Sequence, residues 1–234
     1  MSISENISLV RRQISSAAIR AGRTSGDITL MAVSKTFPAG SIRAAYDASI
    51  RVFGENRVQE FSQKVGALQG LPDAEFHMIG HLQSNKAASA AEAFAVIDSL
   101  DSLKLAERLN ASAGKLAKKL CVLIEINVGG ETAKSGLDAG SSELDELLIA
   151  APRLDHLEFQ GLMTVPPFTE DPQQARPYFL KLRTLRDQIA DRHLPSIRMD
   201  VLSMGMSHDF EIAIEEGSTC VRVGTAIFGQ RAKL

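Results

Sequence analysis

One lysine ends an apolar run in the segment TLMAVSKTFP, and Pro38 keeps the strand from continuing past it. Period-two alternation puts Lys35 on the face shared by Met31 and Val33. An ammonium over a packed apolar layer loses hydration and is expected to lose its proton more readily, leaving an amine able to attack a carbonyl. The competing reading is a strand-end lysine whose head group simply reaches water. Near the other end of the chain, LSMGMSHDFEIAIEEG carries Ser203 and Ser207 ahead of a helical pattern. Ser207 is the expected N-cap, with amides beside it suited to an anion. The next strand, CVRVGTAIFG, ends on Gly224 and Thr225, where bare backbone and a hydroxyl can approach a phosphate, although small residues also serve ordinary turns. Alternation aligns Arg222 with Cys220 and Gly224, so its guanidinium meets either a buried carboxylate or a ligand.

These groups need strands to carry them. Eight short apolar segments fit: TLMAVS, VFGEN, EFHMIG, AVIDSL, LCVLIEINV, LEFQGLM, MDVLSMG and CVRVGTAIFG. Between them lie segments with apolar residues three and four apart, the pattern of amphipathic helices. Eight strand–helix alternations in 234 residues predict a single α/β domain over 1–234, a (β/α)8 TIM-like barrel. MSISENISLVRRQISSAAIRAG, with Ile3, Ile7, Val10 and Ile14 on one side, is expected as an extra N-terminal helix rather than a signal peptide. In such barrels ligands sit where the strands end, which makes Lys35 at the first strand and Gly224 at the last parts of one site. Inward Lys35, inward Arg222 and a phosphate cradle together suggest pyridoxal 5′-phosphate, bound through its aldehyde to Lys35.

The remaining features narrow the function classes. A formal charge of −2 offers no field for nucleic acid or an acidic membrane, and no apolar run is long enough to span a bilayer. Cys121 and Cys220 lie in strand-like runs without CxxC spacing, as core residues suited to a reducing cytoplasm. His77 and His81 share a strand face, but about 13 Å of rise keeps them from one metal, so no metal site is expected. Adjacent Ser207, His208 and Asp209 cannot adopt a hydrolase relay. The segment Gly129–Gly136 is read as a solvated connection, with a lid or partner surface as the alternative.

In combination, AVSKTFP, FGENRVQE, FHMIGHLQSNK, INVGGETAKSGL, GLMTV and LSMGMSHDFEIAIEEGSTCVRVGTAIFG resemble the pyridoxal phosphate homeostasis family, which is similar to the barrel domain of alanine racemase. The match runs through nearly the whole chain with its segments in order. The resemblance implies a fold-type III barrel with an internal aldimine on Lys35, Arg222 at the pyridine nitrogen, and Ser203, Ser207, Gly224 and Thr225 around the phosphate. It also implies Asn56 and His81 beside the ring or its hydroxyl.

Arginine can only donate to the pyridine nitrogen, which leaves the ring a poorer electron sink than an acidic partner would. The racemase-like enzymes add a second domain whose tyrosine acts opposite the lysine. Here the tyrosines, Tyr46 and Tyr178, fall in exterior helical patterns, and the chain closes soon after the eighth strand. A cytoplasmic, monomeric binding protein with no catalytic residues is therefore the expectation, its partners being the cofactor itself and recipient apo-enzymes or amino acids. The alternatives are a weak racemase-like enzyme and, more distantly, a Schiff-base aldolase.

Overall fold

The computed structural model describes residues 1–131 and 134–230. It opens with α1 (Ile3–Arg20), started by a reciprocal cap: the Glu5 amide donates to Ser2 Oγ at 3.2 Å and the Ser2 amide to the Glu5 carboxylate at 2.7 Å. Ile7, Val10, Ile14, Ala17 and Ala18 form its buried stripe, the face that the spacing predicts.

All eight expected strands form. They are β1 (Thr29–Val33), β2 (Val52–Glu55), β3 (Glu75–Met78), β4 (Val96–Leu100), β5 (Leu120–Glu125), β6 (Leu157–Met163), β7 (Ile197–Met206) and β8 (Cys220–Val223). Neighbours pair in parallel and in chain order, and β8 returns to β1, closing the barrel. That closure sets Arg222 opposite Met31. Helices α2 (Ala39–Asp47), α3 (Val58–Val65), α4 (Ala87–Ala93), α5 (Leu103–Lys115), α6 (Ser142–Ala150), α7 (Arg176–Asp191) and α8 (Phe210–Glu215) follow the first seven strands, and the short α9 (Thr225–Phe228) follows the eighth.

Two apolar layers hold the elements. Outside the sheet, Phe61 of α3 lies 4.7 Å from the Phe76 ring and 4.8 Å from that of Phe94, while Phe53 stacks on Phe76 at 5.4 Å. Inside the barrel, Gly54 makes room for its neighbours, since a Cβ there would come within 2.9 Å of both Met31 Sδ and Ile79 Cδ1. Tyr46 and Tyr178 lie on α2 and α7, packed partly against the helix–sheet layer, as the helical patterns predict. Both cysteines are free thiols. Among the described residues no helix is long and apolar enough to cross a membrane, and no cluster of metal-ligating side chains occurs.

Candidate functional site

A cavity of about 280 Å³ opens at the carboxyl ends of the strands. Six of the eight predicted site residues line it: Lys35, Asn56, Ser207, Arg222, Gly224 and Thr225. A larger opening of about 580 Å³ lies at the other mouth, where the strands begin, but its walls hold neither Lys35 nor the glycine and hydroxyl groups.

Lys35 sits in the turn just beyond β1, half-buried. Thr36 makes that turn with φ = 68°, a left-handed conformation that a β-branched residue seldom adopts. The residues on both sides of the lysine are tied down from behind. Ser34 Oγ donates to Glu55 Oε1 at 2.7 Å, and the Thr36 amide donates to Glu60 Oε1. Lys64 Nζ joins them, donating to both Glu55 oxygens at 3.2 Å and to Glu60 at 2.8 Å. Pro38 then begins α2 as its N-cap residue. The stop after Lys35 is thus a fixed corner that places the lysine on the cavity wall. Phe37 adds an apolar wall, its ring 4.9 Å from Phe228 of α9.

Arg222 is 3% exposed. Its Nη1 donates to the Ser203 carbonyl at 2.6 Å and to Ser203 Oγ at 2.8 Å, and its Nη2 to the Thr164 carbonyl at 2.6 Å. Burial pulls its pKa below the ordinary value, opposed by Cys220, Asp98, Glu125 and Asp209.

The corner at Ser207 is built from two chain segments. The amides of Gly224 and Ala226 both point at Ser207 Oγ, at 3.2 and 3.4 Å. Donors converging on one oxygen form the arrangement a phosphate oxygen uses. Ser207 does not cap α8, because that helix starts only at Phe210, after Asp209. Asp209 instead accepts from the Met206 amide at 2.7 Å and fixes the end of β7. Gly205 turns there at φ = 93°, where a Cβ would approach Ala213 Cβ to 2.5 Å. An amine, a buried guanidinium, two hydroxyls and converging amides on one cavity fit pyridoxal 5′-phosphate by the chemistry of the donors.

Two expected residues stand elsewhere. Ser203 is fully buried beneath Arg222 rather than at the cavity wall, because β7 runs on to Met206 and carries the mouth past it. His81 is exposed, its Nδ1 bonded to Asp101 Oδ2 at 3.0 Å, and does not line the cavity. His77 is held between Asp98 at 2.8 Å and Glu75 at 2.7 Å. Burial opposes its charge, but Asp98 and then Glu75 outweigh burial and raise its pKa to about 9. The segment Gly129–Gly136 lies partly outside the described residues; in its described part Lys134 pairs with Glu131 at 3.0 Å.

Sequence reasoning missed the cavity walls supplied by Ile79, Val165, Met206 and His208. It also missed two inward acids. Glu125 ends β5 at 8% exposure, and one of its carboxylate oxygens has no hydrogen-bond partner among the described residues. Burial, with Asp101 adding to it and Arg222 opposing, lifts its pKa to about 7. Asp98, buried in β4, is the other. A carboxylate inside an otherwise apolar strand segment, as in AVIDSL and LCVLIEI, was the available signal.

The family model of the alanine racemase N-terminal domain matches residues 5–232. The pyridoxal phosphate homeostasis protein of Aquifex aeolicus is 45% identical over 231 residues, with 99% of each chain covered. That of Escherichia coli K12 is also 45% identical, covering 98% of this chain and 97% of the relative. Among solved structures, PipY of Synechococcus elongatus with pyridoxal phosphate bound superposes with a TM-score of 0.85 at 37% identity, covering 97% of this chain and all of that one. Alanine racemase from Corynebacterium glutamicum, at 19% identity and a TM-score of 0.69 over 61% of its length, shares the fold.

Proposed function

Because this chain belongs to the family of pyridoxal phosphate homeostasis proteins, built on the alanine racemase N-terminal fold, we propose that it binds pyridoxal 5′-phosphate at the strand-end cavity and maintains its supply without turning over a substrate. The observation that carries this reading is the convergence of Lys35, Arg222 and the Ser207 corner on one cavity. The cofactor supplies an aldehyde and an electron-poor ring. Lys35 holds the aldehyde carbon as a Schiff base, Arg222 donates toward the pyridine nitrogen, and Ser207, Gly224 and Thr225 bind the phosphate. Asn56 flanks the ring, and His81 stands outside the cavity wall. Ser203 serves indirectly, by holding Arg222.

Proton transfer on two faces of a substrate needs a second group opposite Lys35. Tyr46 and Tyr178 lie on outer helices, which supports a carrier over a racemase-like enzyme. Residues 1–234 act as one cytoplasmic, monomeric unit that exchanges cofactor with apo-enzymes or amino acids. The purified protein should be yellow, and borohydride should bleach it and attach one pyridoxyl group to Lys35. Lys35→Ala should lose the visible band yet keep the wild-type far-ultraviolet circular dichroism. Sustained α-proton exchange on any amino acid would reject the carrier reading, and a colourless protein that borohydride joins to a sugar phosphate would reject the cofactor.

A further inference from the structure

The guanidinium of Arg222 has a charge but, among the described residues, only neutral acceptors in direct contact: the carbonyl oxygens of Ser203 and Thr164 and the Ser203 hydroxyl. Its compensation comes from deeper in the barrel. Ser203 Oγ donates to Asp98 Oδ2 at 3.4 Å, His77 Nδ1 bonds Asp98 Oδ1 at 2.8 Å, and His77 Nε2 bonds Glu75 Oε1 at 2.7 Å. We infer that Asp98 and His77 are positioning residues that set the pose of Arg222 from the opposite side of the barrel.

The inference rests on the reading above that Arg222 faces the cofactor. Its physical basis is the single proton of the Ser203 hydroxyl. A fully buried Asp98 that accepts this proton leaves the hydroxyl lone pairs for Arg222. Guanidinium, carboxylate, imidazolium and carboxylate then alternate in sign along the barrel axis, so no buried charge stands alone. Each member stands on a strand (β8, β7, β4 and β3), so the chain is stiff. Glu125 from β5, Asp209 ahead of α8 and Cys220 from β8 also face Arg222. Arg23, Asp27 and Asp200 line the far mouth beside Glu75 and His77. An asparagine at position 98 could donate to Ser203 Oγ instead of accepting, turning the hydroxyl proton away and competing with Arg222 for the hydroxyl lone pairs.

The test compares Asp98→Asn and His77→Gln with the exposed control Glu143→Gln, using pyridoxal phosphate as the probe. In folded Asp98→Asn, affinity should fall about tenfold and the visible band should shift, while borohydride still attaches the pyridoxyl group to Lys35. His77→Gln should move both readouts in the same direction by less, and the control should move neither. Independently, NMR titration of the His77 imidazole in cofactor-free protein should show a higher pKa in Arg222→Met than in wild type, because a nearby positive charge has gone. Unchanged affinity and band in His77→Gln and in any folded Asp98→Asn, or a His77 pKa indifferent to Arg222→Met, overturns the inference. A wild-type protein that takes up no pyridoxal phosphate would sink the cofactor reading instead, and the NMR arm alone would then decide whether the chain of bonds reaches Arg222.

Discussion

Glu125 and His77 titrate away from their ordinary ranges in opposite structural circumstances, and each makes a separable prediction. Glu125 is buried without a full set of partners among the described residues, so its folded pKa rises from 4.5 to about 7. The folded state then holds the proton more tightly than the unfolded one, and stability declines as pH rises from 4.5 through 7. Glu125→Gln should therefore stabilise the protein at pH 8 by up to about 3 kcal/mol and make little difference at pH 4.5. Thermal melts at both values check this, and a pH-independent difference would count against it. His77 gains partners, and its folded pKa rises from 6.5 to about 9. Its contribution is complete below pH 6.5 and disappears as pH climbs through 9, a loss of about 3 kcal/mol at most. The melting temperature of wild type should fall over that window, and the fall should be shallower in His77→Gln.

Strand and helix identities were legible in the residues because their periods differ, and each of the eight apolar segments became the strand it predicts. Element ends were less legible. The segment MDVLSMGMSHD gives no local sign that pairing persists to Met206, and that persistence moves Ser203 from the mouth into the interior. Gly205 permits it: at φ = 93° and against Ala213 and Phe210, even a methyl group has no space. Gly205→Ala should cost about 2 kcal/mol or more and disturb the Ser207 corner, so cofactor affinity should drop along with the denaturation midpoint. Phe61→Ala removes a ring from the packed cluster outside the barrel and should cost about 3–5 kcal/mol while the bound cofactor's visible band stays in place. A band that moves in Phe61→Ala would mean that the helix layer and the cavity are more tightly coupled than the separate layers imply.

At the scale of the molecule, the barrel's closure brings the first and last strands together. Pairing of β1 with β8 puts Lys35 and Arg222 on one cavity wall, and α1 and α9 pack beside that seam, where the Asn6 side chain donates to the Ile227 carbonyl at 2.9 Å. A ligand that joins both strands should stabilise the whole cooperative fold. Added pyridoxal phosphate should raise the melting temperature of wild type in a concentration-dependent way, and Lys35→Ala should lose most of that rise. An equal rise in both proteins would place the binding energy elsewhere.

Alone, the sequence determined which residues alternate inward, where strands and helices form, and that Lys35, Arg222 and the Ser207–Thr225 groups belong at strand ends, because those properties depend on neighbours a few positions away. Tertiary structure decided what lies beneath the site and beside it: Ser203 under the guanidinium, His81 off the cavity wall, and Asp98, His77 and Glu125 as inward acids and base. Those placements depend on strand register and on burial, which exist only once eight distant segments have closed on one another.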